Sequence, residues 1–242
     1  MAGQQLAASI ESQLRAAGDP GRAEQERRYL KSELVHLGVS VPATRQIVRS
    51  ALTEHPPVAH RELIDLVSAL WSSQIFECRR AAVEALELRC DALGPGDVDV
   101  VETLLRGSGT WALVDELATR VVGDLVERFP ELASTLDRWA SDGDFWIRRS
   151  ALLALLLPLR CGEGDFERFG RYADAMLEER EFFIRKAIGW VLRDTGRKRP
   201  ELVYDWLMPR LARASGTTVR EAVKSLADDQ RQAIAATRVK PR

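Results

Sequence analysis

Residues 182–192, FFIRKAIGWVL, decide the reading of this chain, because the same pattern occurs upstream as FECRRAAVEAL (76–86) and FWIRRSALLAL (145–155). Each segment opens on an aromatic residue, carries charge at its fourth and fifth positions, and continues as a small or apolar stripe. Taking the fifth position as an anchor gives Arg80, Arg149 and Lys186. The interval from Arg80 to Arg149 is 69 residues, room for one more unit, whose anchor falls on Asp115 in TWALVDELATRVV. Trp111, four residues earlier, then fills the aromatic slot. One step of 35 back from Arg80 reaches Arg45 in VPATRQIVRSAL, and one step of 35 on from Lys186 reaches Glu221 in TTVREAVKSL. The anchors are spaced 35, 35, 34, 37 and 35. Such a period in a helical sequence means stacked helix pairs. The tetratricopeptide signature residues are absent, so the expectation is an all-α solenoid of about six HEAT-like repeats, a single domain over 1–242.

Outside the repeats the period is also helical. Tyr29, Leu30, Leu34 and Leu37 share one face, as do Leu63, Leu66, Val67 and Leu70. No segment alternates with period two for long. Breaks at Gly38, Pro56-Pro57, Gly94-Pro95-Gly96, Gly107-Ser108-Gly109 and Gly162-Glu163-Gly164 punctuate the pattern. The 242 residues are 45% hydrophobic and 29% charged, too apolar for a disordered chain. The longest apolar run, residues 151–159, contains Pro158 and is far short of the roughly 20 residues of a membrane span. Residues 1–20 lack the apolar core of a signal peptide. Cys78, Cys90 and Cys161 form neither a disulfide framework nor a zinc spacing. His36, His55 and His60 also lack ligand spacing, so neither a metal nor a cofactor is expected. A cytoplasmic, reducing compartment and a monomer are.

A net charge of −1 excludes a globally basic nucleic-acid binder, so a polyanion site requires segregated charge. Residues 162–181 hold seven acids and three bases, whereas residues 182–199 hold six bases against Asp194. That pattern reads either as solvated faces or as an acidic outer helix followed by a basic inner one. In the second case Arg45, Arg80, Arg149 and Lys186, with Arg148 and Arg185 beside them, line one groove suited to a phosphate backbone or an acidic partner. Glu221, the last anchor, belongs to a capping repeat. Asp115 is the interior exception. It is either an ion-pair partner of a neighbouring arginine or a negative charge aimed at a cationic substrate or transition state. Trp111 lies on its face of the helix, and Trp190 follows Lys186 by four; both are core residues or contacts to a delocalised cation. Trp146 is assigned to packing, and Trp71, Trp139 and Trp206 to the core.

TWALVDELA, SDGDFWIRRSAL, RRYLKSELVHLGVSVPATRQ and above all EFFIRKAIGWVLRD resemble the DNA alkylation-repair glycosylases of the AlkD type, over about residues 10–228. The resemblance implies a six-repeat HEAT-like solenoid that hydrolyses the N-glycosidic bond of cationic N3- and N7-alkylpurines in duplex DNA, without a lyase step and without a base-flipping pocket. It implies a catalytic role for Asp115, with Trp111 and Trp190 packing on sugar and lesion, Arg149 holding phosphate, and Tyr29 beside them in the Arg28-Tyr29 pair. Relatives often carry tandem tryptophans where this chain has Thr110-Trp111. The alternatives are a member that binds DNA without excising, and a non-catalytic scaffold for DNA or an acidic protein.

Overall fold

The computed structural model describes residues 2–54 and 59–239, so His55 and the Pro56-Pro57 break lie outside the described residues. The protein is all-α, as the periodicity predicts; the described residues form no strand beyond an isolated bridge between Val35 and Ile75. No described helix is long and apolar enough to cross a membrane. The chain forms two compact units, Met1–Leu125 and Val126–Arg242. Three anchors fall in each.

The first unit contains α1 (Ala2–Ala16), α2 (Pro20–Leu30), α3 (Val41–Glu54), α4 (His60–Trp71), α5 (Phe76–Leu88), α6 (Val98–Gly107) and α7 (Trp111–Glu116). A π-helical segment, Leu117–Val122, follows α7 without a break and leads into α8 (Gly123–Arg128). Asp19 starts α2 by accepting from the amides of Gly21 and Arg22, with Pro20 at the first helical position. Leu63, Leu66, Val67 and Leu70 form the buried stripe of α4, which packs on α1 and α5. The anchor-bearing helices α3, α5 and α7 pack in succession. Glu77, fully buried on α5, fixes the loop before α3: its carboxylate accepts from the amides of Leu37 at 2.9 Å, Gly38 at 2.6 Å and Val39 at 3.2 Å. Gly38 is required there. Its φ is +81°, and a Cβ would stand 2.1 Å from the carbonyl oxygen of Asp19.

The second unit contains α9 (Ala133–Trp139), α10 (Phe145–Leu153), α11 (Leu156–Cys161), α12 (Phe166–Ala175), α13 (Phe182–Gly196), α14 (Pro200–Leu207), α15 (Gly216–Ala222) and α16 (Asp228–Val239). Side-chain caps from Asp144, Asp165, Glu181 and Ser215 start α10, α12, α13 and α15. Here α10, α13 and α15 are the successive anchor-bearing helices. The last two approach closely at Gly189, where a Cβ would meet the Cβ of Glu221 at 2.7 Å and the carbonyl oxygen of Thr218 at 3.0 Å. Trp139 is fully buried, as expected. Trp146 packs against Phe145 and Phe183, with ring centroids at 4.5 and 4.9 Å, and so joins α10 to α13.

Polar contacts join positions nearly one repeat apart. Arg148 reaches Glu179 at 2.8 Å, Arg160 reaches Asp194 at 2.8 Å, Tyr172 reaches Asp137 at 2.5 Å and Lys186 reaches Glu221 at 2.8 Å. These contacts span 31, 34, 35 and 35 residues of sequence. Glu221, the acidic anchor of the last repeat, also accepts from Lys224 at 2.9 Å and Arg193 at 2.5 Å.

The hydrogen bond from Lys186, assisted by Lys224, holds the Glu221 carboxyl at a pKa of about 2, against an ordinary 4.5. The folded-state value is the lower one. The stabilisation is therefore present above pH 4.5 and is lost as pH falls towards about 2. Glu221→Gln should be less stable than the parent at pH 7, and the gap should close on acidification through that window. Urea midpoints across the range measure it; a gap that does not change with pH would assign the effect to packing.

Candidate active site

In the first unit the face around Asp115 is built from a turn, a cap and an irregular helix. Gly109 takes φ +61° to make the turn. Thr110, buried, then caps α7 by accepting from the amide of Ala112 at 3.4 Å. Thr110 thus has a structural use as the cap of α7. Trp111 and Asp115 are both half-buried and lie one turn apart, while Leu113, Val114, Leu117 and Ala118 anchor the opposite face in the core. Tyr29, at the end of α2 and 73% exposed, meets Trp111 edge to face, with centroids 5.9 Å apart and planes at 89°. Directly after Glu116 the helix widens into its π segment, a feature that recurs at functional sites. The Thr119 hydroxyl in that segment donates to the carbonyl oxygen of Asp115 at 2.7 Å. A carboxylate one turn from an aromatic pair suits a flat or delocalised cation.

The basic anchors of this unit are engaged internally. Arg45 donates from Nε to Glu84 at 2.8 Å and from Nη2 to Glu87 at 3.2 Å. Arg80, expected to hold phosphate, is instead buried, with its guanidinium 4.9 Å from the centre of the Phe76 ring. Burial holds its pKa below the ordinary value, opposed mainly by Glu26. Glu116, next to Asp115, has its carboxyl pushed up by burial and then by Glu87 and Glu84. Glu84, Glu87 and Glu116 escape the repeat comparison because they lie beside the anchor positions and not on them. The position of Glu84, four residues after Arg80, is their one sequence signal.

In the second unit Arg149 is 3% exposed; it donates to the carbonyl oxygen of Phe183 and lies 5.9 Å from the centre of that ring. The expected open phosphate contact is thus replaced by a tie between α10 and α13. The reason is positional: the fifth residue of the motif faces the next helix of the stack. Arg148 forks onto both oxygens of Glu179, at 2.9 and 2.8 Å, and also reaches the carbonyl oxygen of Asp142. Arg185 donates to the carbonyl oxygen of Glu179 at 2.6 Å. Lys186 pairs with Glu221 while its side chain stays 43% exposed. Trp190 is half-buried, and its indole donates to Asp194 at 3.1 Å. Asp194, almost fully buried, also accepts from Arg160 at 2.8 Å and Arg193 at 3.2 Å. It is visible in sequence as the only acid of its basic run and as the residue one turn after Trp190.

A metal site was not expected from sequence spacing, yet Glu26, His36 and Glu77 bring three ligand-type atoms within 4.8 Å of one another. His60 is different: its Nε2 lies 2.8 Å from Asp97, 37 residues further along the sequence.

The sequence model of a family described as "DNA alkylation repair enzyme" matches residues 10–226. A solved structure from Enterococcus faecalis, described as a predicted DNA alkylation repair enzyme, is 24% identical with a TM-score of 0.77, over 87% of this chain and 97% of that one. AlkD2 from Streptococcus mutans is 15% identical with a TM-score of 0.58, over 84% of this chain and 99% of that one. These structures share the helical fold. No curated protein is significantly similar to the chain.

Asp194→Asn should destabilise the protein by ~3 kcal/mol, since it removes the negative charge on which Arg160, Arg193 and the Trp190 indole converge. Equilibrium urea denaturation reads the loss. A change below about 0.5 kcal/mol would mean that the cluster is neutral to stability.

Proposed function

The chain belongs to the DNA alkylation repair enzyme family, and from that premise we propose that it is a monofunctional glycosylase acting on cationic N3- and N7-alkylpurines in duplex DNA. The observation that carries the proposal is the half-buried Asp115 one turn from Trp111, with Tyr29 packed edge-on against the indole. Alkylation at N3 or N7 puts positive charge on the purine, which makes it a good leaving group. As the C1′–N bond breaks, its electron pair neutralises the purine and positive charge passes to the deoxyribose. Asp115 stabilises that charge and orients a water, whose oxygen bonds to C1′ and whose proton passes to the Asp115 carboxylate. Trp111 and Tyr29 wall the sugar and lesion, excluding bulk water where charge develops.

In the second unit we assign Trp190 as an aromatic contact to DNA; the Asp194 bond supports this by fixing the plane of its indole. Arg149 is a positioning residue in this reading, because it is buried between α10 and α13. Lys186, with its exposed ammonium, is the phosphate contact, joined by Arg45, Arg148 and Arg185 where their internal bonds allow it. The lesion is read through sugar and backbone without flipping into a pocket. The protein works as a monomer, in the cytoplasm and on the nucleoid. A second reading, a scaffold that binds DNA or an acidic protein without chemistry, draws on the engagement of Arg45, Arg148 and Lys186 with carboxylates.

Release of methylated purine from alkylated duplex DNA separates the two readings. Asp115→Asn should lower the single-turnover excision rate by ~10²–10³ while leaving duplex affinity unchanged or slightly tighter. Near-normal excision by that variant would remove Asp115 from the mechanism, and no excision by the parent would leave the scaffold.

The binding roles are separated by salt. Lys186→Ala should make the slope of log K against log salt shallower by about one unit, the signature of one lost phosphate contact. Arg149→Ala should leave the slope unchanged and lower the thermal midpoint, as expected of a buried tie. Interchanged results would exchange the two roles.

A further inference from the structure

The loop between α2 and α3 carries an unexplained buried cluster, remote in purpose from the excision chemistry. The His36 side chain is 1% exposed, and both its ring nitrogens are buried without a hydrogen-bond partner. The Glu26 oxygen nearest to it, Oε2 at 3.9 Å from Nδ1, is likewise buried and without a hydrogen bond. Glu77 completes the group, its Oε1 saturated by the amides of Leu37, Gly38 and Val39, its Oε2 accepting only from Leu37. A buried polar atom left without a partner costs ~1–3 kcal/mol. Two such atoms, Glu26 Oε2 and His36 Nδ1, stand 3.9 Å apart and call for a common partner.

We propose that Glu26, His36 and Glu77 form a binding site for a divalent transition-metal ion of the zinc class. Three observations support the assignment. The first is the donor set, one imidazole and two carboxylates, which suits such an ion with a fourth position left for water. The second is spacing. Two ligands of one zinc ion stand about 3.4 Å apart, so ligand atoms within 4.8 Å of one another need to contract by at most about 1.4 Å. The third is orientation. The imidazole is stacked on Phe76, with centroids 4.5 Å apart and planes at 13°, and Glu77 is held by three backbone amides, so both ligands are set before the ion arrives.

Charge is compatible with the assignment. Burial holds the His36 pKa below 6.5, leaving a neutral imidazole able to coordinate, although Glu77 and Glu26 oppose the shift. Arg22 pairs with the other Glu26 oxygen, Oε1, at 3.7 Å, and Arg80 adds positive charge at longer range. The Glu26 charge is thus met by arginine, and that of Glu77, held by backbone amides, is left for the cation. His36 also lines a surface cavity of about 520 Å³ together with Ala23, Arg27 and Leu37. A bound ion would tie α2 to α5 through the loop that precedes α3. Tyr29 is carried on the same α2.

Equilibrium dialysis of the full-length, chelator-stripped protein against zinc chloride, with the metal counted by mass spectrometry, tests this directly. One saturable zinc ion per chain is expected, with affinity reduced about 100-fold or more by His36→Ala or by Glu26→Gln. Cys161→Ser is expected to change nothing, which separates the site from zinc held by an exposed thiol. Zinc should also raise the thermal midpoint of the parent and of Cys161→Ser, and of neither site variant. If His36→Ala does not fold, the milder Glu26→Gln decides alone. Absence of saturable zinc in the parent, with the cluster then satisfied by water or a proton, overturns the proposal. So does affinity that survives in the folded site variants.

Discussion

A charged side chain that leaves one helix and is met about one repeat further along the sequence is the interaction on which each unit depends. Arg45 with Glu84, Arg148 with Glu179, Arg160 with Asp194 and Lys186 with Glu221 are all of this kind. A stack of short helices has few residues per helix to bury, and most of its apolar area is shared with the immediate neighbour. A charge placed in that shared layer must find its counter-charge there, because the desolvation of a lone ion costs several kcal/mol. The repeat spacing is what places the counter-charge within reach. Hydrophobic contact holds adjacent helices together, and the ion pairs fix which turn lies against which.

The same arrangement separates two uses of basic residues that look alike in sequence. Arg80 and Arg149 occupy the anchor position and are consumed by the stack, one over Phe76 and the other on the carbonyl of Phe183. Lys186 occupies it too and remains partly open, since its longer, thinner stem lets the ammonium reach both Glu221 and solvent. Position in the motif therefore sets direction, and only the surroundings set availability. Around Asp115 the balance differs again. The helix there is pinned in the core by Leu113, Val114 and Leu117, yet it loosens into a π segment one residue after Glu116. A fixed carboxylate beside an irregular turn is a local departure from the regularity that governs the other repeats.

Much of this was legible in the sequence. The aromatic slot and fifth-position anchor fall on helices α5, α7, α10 and α13, and the step of 35 falls on α3 and α15, because stacked repeats bury equivalent positions and so repeat the same residue classes. Trp111 and Asp115 were legible as well, since one helical turn is a fixed spacing. What the sequence concealed was partnership. Glu84 pairs with the anchor Arg45 from the ninth position of its own segment, Glu179 pairs with Arg148 from a loop, and the Glu26, His36 and Glu77 cluster is assembled from a helix, a loop and the next repeat. Ligand spacing can be recognised in sequence only where the ligands share an element. Thr110 is a further case: compared with relatives it reads as a missing tryptophan, and in the fold it is a helix cap.

Gly189 bears on how variation in this chain would be interpreted. A methyl group there acts as a wedge, forcing α13 away from α15 at the point where their backbones nearly touch. The displacement would be passed to Trp190, the next residue, and to the Lys186–Glu221 contact one turn back. A genetic screen scored on survival of alkylating agents would then mark Gly189 as strongly as a residue that handles the lesion, although it has no side chain to offer. Intolerance at this position is a measure of the distance between two helices.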